Sequence, residues 1–557
     1  MNSLRSFIFV LSFICFVNIV YSNSLTLIVS QTSNSTSATC GDTLDNACTS
    51  IPNAIQSYLN SNTNDNSTTS LTILLNDGTY NATKNSVTQT LSIPLTIGSY
   101  TNSSQYVFLV DFNMTLPLFG QKVTQSLPSL SISDVTFVNS YWIIASNTSM
   151  NVSIQDTVFK NVNSYIVGLV SLEYHGAQDN APTFSLSNVV LNATNGVQST
   201  NLFTITNYNV ALDNVTAVNI KYVNTIFMFF DSQVVATGLF FNLNSVSYAP
   251  IASVSSSFSV DSSYFNQNYG GWAGVFKLNG ENNQPFDVKF SNCTFIYNSA
   301  PNTGGALYIS PNSGQVQILQ SQFINNYVNT GNSIGGALYL TSNSNVSIDG
   351  CAFKGNTAYA AGGTIAIFNT NINISQSTFY DASSYEGGAL YLFESTVTLN
   401  YNLFSANNAN MYGADVSCRS SNLTVISEEV IQADNYVCPD ETCLITSNQL
   451  FTCPSGTNNS SSDSPKKNNN NNNETIKIAI GVSCAIGGVI IIGFIVYLIR
   501  RHHHHHHHGG HHTESSSLID NHHHHHHGGH HHHHDSGHHH HHHHHDSGHH
   551  HHHGNHH

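Results

Sequence analysis

From Leu130 onward, apolar and polar residues alternate in short bursts, each closing on a bulky anchor. SISDVTF, SIQDTVF, SNCTF, QSQF, DGCAF, SQSTF and NYNLF end on Phe137, Phe159, Phe295, Phe323, Phe353, Phe379 and Phe404. Degenerate copies put Leu191, Ala217, Phe240 and Phe265 in the same slot, so the interval between anchors is 22 to 32 residues. Such a period marks a solenoid, in which a repeat buries its apolar face only against its neighbours. Five positions before each anchor stands another apolar residue (Ile132, Val235, Ile318 and Leu399 are examples), and two residues earlier the slot is again mostly apolar. That period of two predicts a strand with one buried face. The anchor lies an odd number of residues further on, so a bend must intervene. Asp134, Asp156, Asn188, Asn214 and Asn292, three before the anchor, are types that accept left-handed backbone.

A second short strand carries the anchor inward, and a polar turn follows that often ends in Asn (Asn298, Asn326, Asn356, Asn407). Paired glycines then open a third strand: GGALYI at Gly304, GGALYL at Gly335, GGTIAI at Gly362 and GGALYL at Gly387. Three strands and three corners per repeat predict an all-β parallel β-helix solenoid. A helical solenoid would show an apolar spacing of 3.6. An antiparallel sandwich explains the alternation, but not the same line recurring from 137 to 404.

FIYN, FINN, FKGN and FSAN, with the GGAL turns, resemble the FxxN and GGA[IL] repeats of chlamydial polymorphic outer-membrane proteins, most strongly over residues 290–415. The resemblance implies a right-handed, pectin-lyase-like β-helix, displayed at a surface and often adhesive, and it specifies no ligand. FYDA at Phe379 lacks the Asn and GGTI at Gly362 lacks the Ala. No bacterial autotransporter barrel follows the repeats, so what the resemblance implies stops at the helix.

The flanks complete the plan. Residues 1–22 carry Arg5 and an apolar run, and read as a secretory signal peptide. Residues 23–125 form a cap and first coils, where CTSIPNAIQSYL sets Ile51, Ala54, Ile55, Tyr58 and Leu59 on one helical face. Residues 126–417 hold the repeats and 418–454 a cysteine-containing closure. Residues 455–475 are a Ser/Asn-rich stalk, and 476–499 are apolar and long enough to cross a bilayer as a transmembrane helix. Arg500 and Arg501 follow directly, which places the tail 500–557 in the cytoplasm and makes the chain a type I membrane protein of the plasma or endosomal membrane.

That compartment permits disulfides and glycans. Cys40 and Cys48 suit a small loop, and Cys418, Cys438, Cys443 and Cys453 suit a stapled closure with three open connectivities. Cys293 and Cys351 occupy one inward slot two coils apart, about 10 Å by strand spacing, which predicts two buried free thiols. Sixteen N-x-[ST] sequons precede the apolar span, among them Asn34, Asn66, Asn81, Asn102, Asn113, Asn147, Asn151, Asn192, Asn214, Asn345, Asn373 and Asn422, and most of the exposed ones are expected to be modified.

Charge and chemistry narrow the function. Between residues 23 and 474 there are 10 basic and 26 acidic side chains, which argues against nucleic acid and disfavours acidic polysaccharide. That stretch has one arginine, Arg419, beyond the repeats, and one histidine, His175, expected in an exposed turn. No adjacent aspartates occur in the repeats, so the reading is non-enzymatic and cofactor-free, with a polysaccharide lyase or hydrolase as the alternative. In GGALYL the tyrosine points outward, so Tyr308, Tyr339 and Tyr391 predict a partial ladder interrupted at Ala366. Such a ladder is either ordinary cross-strand pairing or a strip for a glycan or cell-surface protein. The tail from His502 to His557 holds 35 of the 36 histidines. It binds divalent transition metals without a fixed site, or is a metal- or pH-responsive element, or is a neutral repeat expansion.

Overall fold

The computed structural model describes residues 23–447, apart from 36–37, 62–67, 114, 141, 163–167, 195–199, 281–285, 311–313, 342–344, 427–435 and 438–441. The expected signal peptide, stalk, membrane span and His-rich tail lie outside the described residues, as do Asn66, Cys438 and Cys453. No described helix is long and apolar enough to cross a membrane.

The repeats wind into a right-handed parallel β-solenoid of about 13 turns, the hand that parallel crossovers take almost without exception. Three long parallel sheets of 16, 13 and 12 strands run along it, and through the repeats most coils give one strand to each sheet in turn. In the first sheet Ile132, Ile154, Leu186 and Leu212 lie in register. The second sheet stacks the anchors, Phe295 on Phe323 on Phe353 on Phe379 on Phe404. Their rings stack 4.7–5.0 Å apart, the spacing of the strands themselves. Where the slot shrinks to Ala217, Phe203 and Phe227 of the third sheet fill the core, their centroids 4.8 Å apart.

Every anchor is preceded, three residues earlier, by a left-handed residue: Asp134, Asp156, Asn188 and Asn214 are joined by Gly238, Ser262, Gln320, Gly350, Gln376 and Tyr401. That run corrects the expected register in one coil. The anchor there is Phe241, paired with Ala217 and Phe265, and Phe240 points out and stacks on Tyr264 at 5.5 Å. By the same shift Ala236 is buried and Val235 is 56 % exposed. A one-residue slip exchanges the two faces of a strand, and Gly238 places this bend one residue later than the Phe240 alignment requires.

The Asn that follows three past the anchor is an inner strut. Asn244, Asn268, Asn298, Asn326 and Asn356 are buried, and each of the first four donates its Nδ2 to the Oδ1 of the next at 2.9–3.1 Å. This ladder satisfies corner backbone groups that lie inside the solenoid. At the amino-terminal end, helix α1 (Ile51–Ser61) buries Ile51, Ala54, Ile55 and Tyr58 over the core, with Leu59 partly buried beside them. Ser57 Oγ donates to the carbonyl of Cys40, which is bonded to Cys48, so the helix is tied to the disulfide loop. At the other end Cys418 is bonded to Cys443.

Cys293 and Cys351 are free and buried, with Ser321 between them in the stack. Burial pushes both thiols up to about 12. At pH 8 only about one thiol in ten thousand is then ionised. Peptide mapping after iodoacetamide at pH 8 should therefore show both cysteines unmodified in the native protein and fully alkylated in denaturant. Native modification of either would contradict this packing.

Of the described sequons named above, only Asn113 is not exposed, and its Oδ1 is engaged by the backbone of Thr115 and Leu116. Asn81, Asn151 and Asn214 are exposed but hydrogen-bonded, respectively as a helix cap, to Thr183 and to Asn188.

Candidate functional site

The outer face of the third sheet carries the chemistry. Its register runs Thr204, Met228, Ala252, Lys277, Tyr308, Tyr339, Ala366 and Tyr391. Tyr308 and Tyr339 stack with centroids 5.0 Å apart and planes within 19°. At Ala366 the ladder does not break. Phe368, two residues on, lies 5.4 Å from Tyr339 and 5.7 Å from Tyr391, and the rings cover Ala366 completely. Tyr391 is correspondingly only 9 % exposed. Burial raises the hydroxyl pKa of both Tyr308 and Tyr339, helped by neighbouring phenols. The expectation of outward tyrosine faces is thus modified: these rings pack on one another or on Phe368, with Tyr308 and Tyr339 half-buried and Tyr391 nearly buried.

A free aromatic face appears at the amino-terminal end of the strip. Trp272, in the corner before the third strand, is 55 % exposed. Its amide donates to the carbonyl of Tyr248 one coil earlier at 2.8 Å, and the two rings lie 6.2 Å apart. Between this pair and the ladder sits Lys277, in the slot that Tyr308 fills one coil on. Its Nζ is 4.8 Å from the ring centre of Tyr248, 5.0 Å from Trp272 and 5.0 Å from Tyr308. The side chain is only 6 % exposed, and this burial lowers the ammonium pKa. Three ring faces offset part of the desolvation of that charge. No carboxylate pairs with it among the described residues.

Lys277, Trp272, Tyr248 and Phe368 are the members that the repeat pattern alone does not mark. Aligning GVFKLN with GALYIS puts Lys277 in the tyrosine slot, a signal obscured because Ala273 replaces the first glycine of the pair. Trp272 and Tyr248 lie in corners of irregular length, which no strand periodicity reaches.

Two concavities lie elsewhere. Across the corners between the third and first sheets, a cleft of about 630 Å³ is bounded by Tyr174, His175, Gln178, Asn207, Asp231 and Phe286. It shares Gln233 and Ser257 with a groove of about 300 Å³ on the first sheet, beside Val235, Ser259, Asp287 and Lys289. His175 is exposed with its Nε2 3.7 Å from Glu173, and Asp287 accepts the backbone amide of Gln315 at 3.0 Å. The described residues hold no group of three His, Cys, Asp or Glu side chains arranged to take a metal ion. Arg419, the expected lone arginine, is paired with Glu386.

No protein-family profile, curated protein or solved structure matches this chain.

Proposed function

We propose that this chain is a single-pass type I membrane glycoprotein whose β-helix recognises glycans at a cell surface, without turning them over. The observation that supports this reading is the exposed Trp272 ring, backed by Tyr248 and adjoining the Lys277 ammonium on the flank of the solenoid. An indole face matches the C–H face of a pyranose ring, and a rigid sheet beneath it holds the platform at low entropic cost. Repeats resembling those of chlamydial polymorphic outer-membrane proteins agree with an adhesive role. The stalk and membrane span would hold the platform away from the bilayer.

The test is glycan-array binding by the intact protein, scored together with release of sugar products. Trp272→Ala should lower binding roughly tenfold or more, as loss of an aromatic anchor does. Tyr380→Ala, at an exposed ring on the second sheet beside Lys354, should leave it unchanged. Undiminished binding by the Trp272 variant, or release of products by the wild type, would overturn the proposal.

A further inference from the structure

Lys277 is the one feature of the platform that neutral sugar stacking does not use. A buried ammonium normally has a carboxylate partner, because desolvation is costly and ring faces return only part of it. Here the nearest outward positions in the register are Met228 and Ala252 on one side and Tyr308 and Tyr339 on the other. The corners that flank it in the neighbouring coils, SVSYA at 245–249 and SAPNTGGA at 299–306, contain no charged residue; of the two acids in the corner after its own strand, Asp287 accepts the amide of Gln315 and Glu281 lies outside the described residues. Among the described residues the charge is therefore locally unopposed, in a protein that is acidic as a whole. Beyond about 8 Å that global charge is screened at physiological salt, so the local field decides what docks at Trp272.

We infer that the glycan recognised on the Trp272 platform carries a carboxylate, as a uronic acid does, and that this group pairs with Lys277. The inference rests on the glycan-binding reading above and adds the ligand's charge. The geometry fits one acidic sugar. Its apolar face lies on the indole, and Nζ is 5.0 Å from the ring centre, so a carboxylate at the indole rim comes within direct reach. A long polyanion is a poor match, since the surrounding charge would oppose the units that lie beyond Lys277.

The experiment compares binding of the intact protein to a glucuronate-terminated oligosaccharide and to its glucose-terminated counterpart. The wild type should prefer the acid form roughly tenfold or more, the scale of one charge-assisted pair. That preference should shrink as salt is raised. Lys277→Met, which keeps the length and apolar bulk of the side chain within the cage, should bring the ratio close to one, and Lys277→Arg should restore it in part. Equal binding of the two oligosaccharides by the wild type would overturn the inference and leave the platform reading standing, without requiring any variant to fold. So would a preference that survives in a folded Lys277→Met protein. Binding of neither oligosaccharide, nor of any other glycan, would remove both.

Discussion

Asn298→Ala should destabilise the solenoid by roughly 2–4 kcal/mol, the scale of leaving buried polar groups without partners. Asn298 is fully buried, and its Oδ1 accepts from both the amide and the Nδ2 of Asn268. Its Nδ2 donates to the carbonyl of Phe265 and to Asn326 Oδ1. Alanine removes all four bonds in a place with no visible replacement, and the amide of Asn268 loses its acceptor. Because each coil touches chiefly its neighbours, the damage stays local in energy but breaks the relay of cooperativity. Urea denaturation followed by tryptophan and far-UV signals should then show a lower first midpoint and a second, separate transition. Asn332→Ala, at an exposed loop position, should change stability by no more than about 0.5 kcal/mol. Equal midpoints for the two variants would show that the ladder contributes little.

The same asparagines show what a reader of the chain can and cannot see. The anchors and the bend three residues before them were legible because strand parity is strict: one buried face needs period two, and a change of parity needs a left-handed residue. The structure extends that bend to Ser262, Gln320 and Tyr401, types the rule alone would not select, because the ladder on either side fixes the backbone. The slip between Phe240 and Phe241 arose where two phenylalanines are adjacent and composition does not distinguish them. Only the glycine three residues before the true anchor separates the alternatives.

The site was half legible for a related reason. Tyr308, Tyr339 and Tyr391 stand out since they repeat, and repetition is what a periodic reading detects. Phe368, which joins Tyr339 to Tyr391, stands two residues off the repeating slot, and its ring reaches back over Ala366. Trp272 and Lys277 occur once each. A binding platform on a solenoid is a departure from the repeat, so the residues that make it distinctive are the ones periodicity passes over.

Gly305→Ala should be among the most damaging methyl additions in the third corner, costing roughly 3 kcal/mol or more, at or above the usual overpacking range. A Cβ on Gly305 would lie 2.0 Å from the carbonyl oxygen of Gly336 and under 3 Å from the backbone of Tyr327. These are backbone atoms of the next coil, held by the ladder, and no rotamer change relieves the contact. Gly274, Gly336, Gly363 and Gly388 repeat the arrangement, so the column is a seam where successive coils meet without side chains. Gly304, one residue earlier, serves the left-handed corner at φ 58°, and Ala306, one later, is fully buried. The GGA line thus combines one conformational demand, one steric demand and one size limit in three residues. Gly331→Ala is the matched control, since nothing lies within 4 Å of its Cβ position. It should be neutral, or stabilising by up to about 1 kcal/mol through the unfolded chain. Thermal unfolding of the two variants checks the contrast. Since Gly305 fixes the corner that leads into Tyr308, a folded remnant of the Gly305 variant should also bind glycan less well than the Gly331 variant.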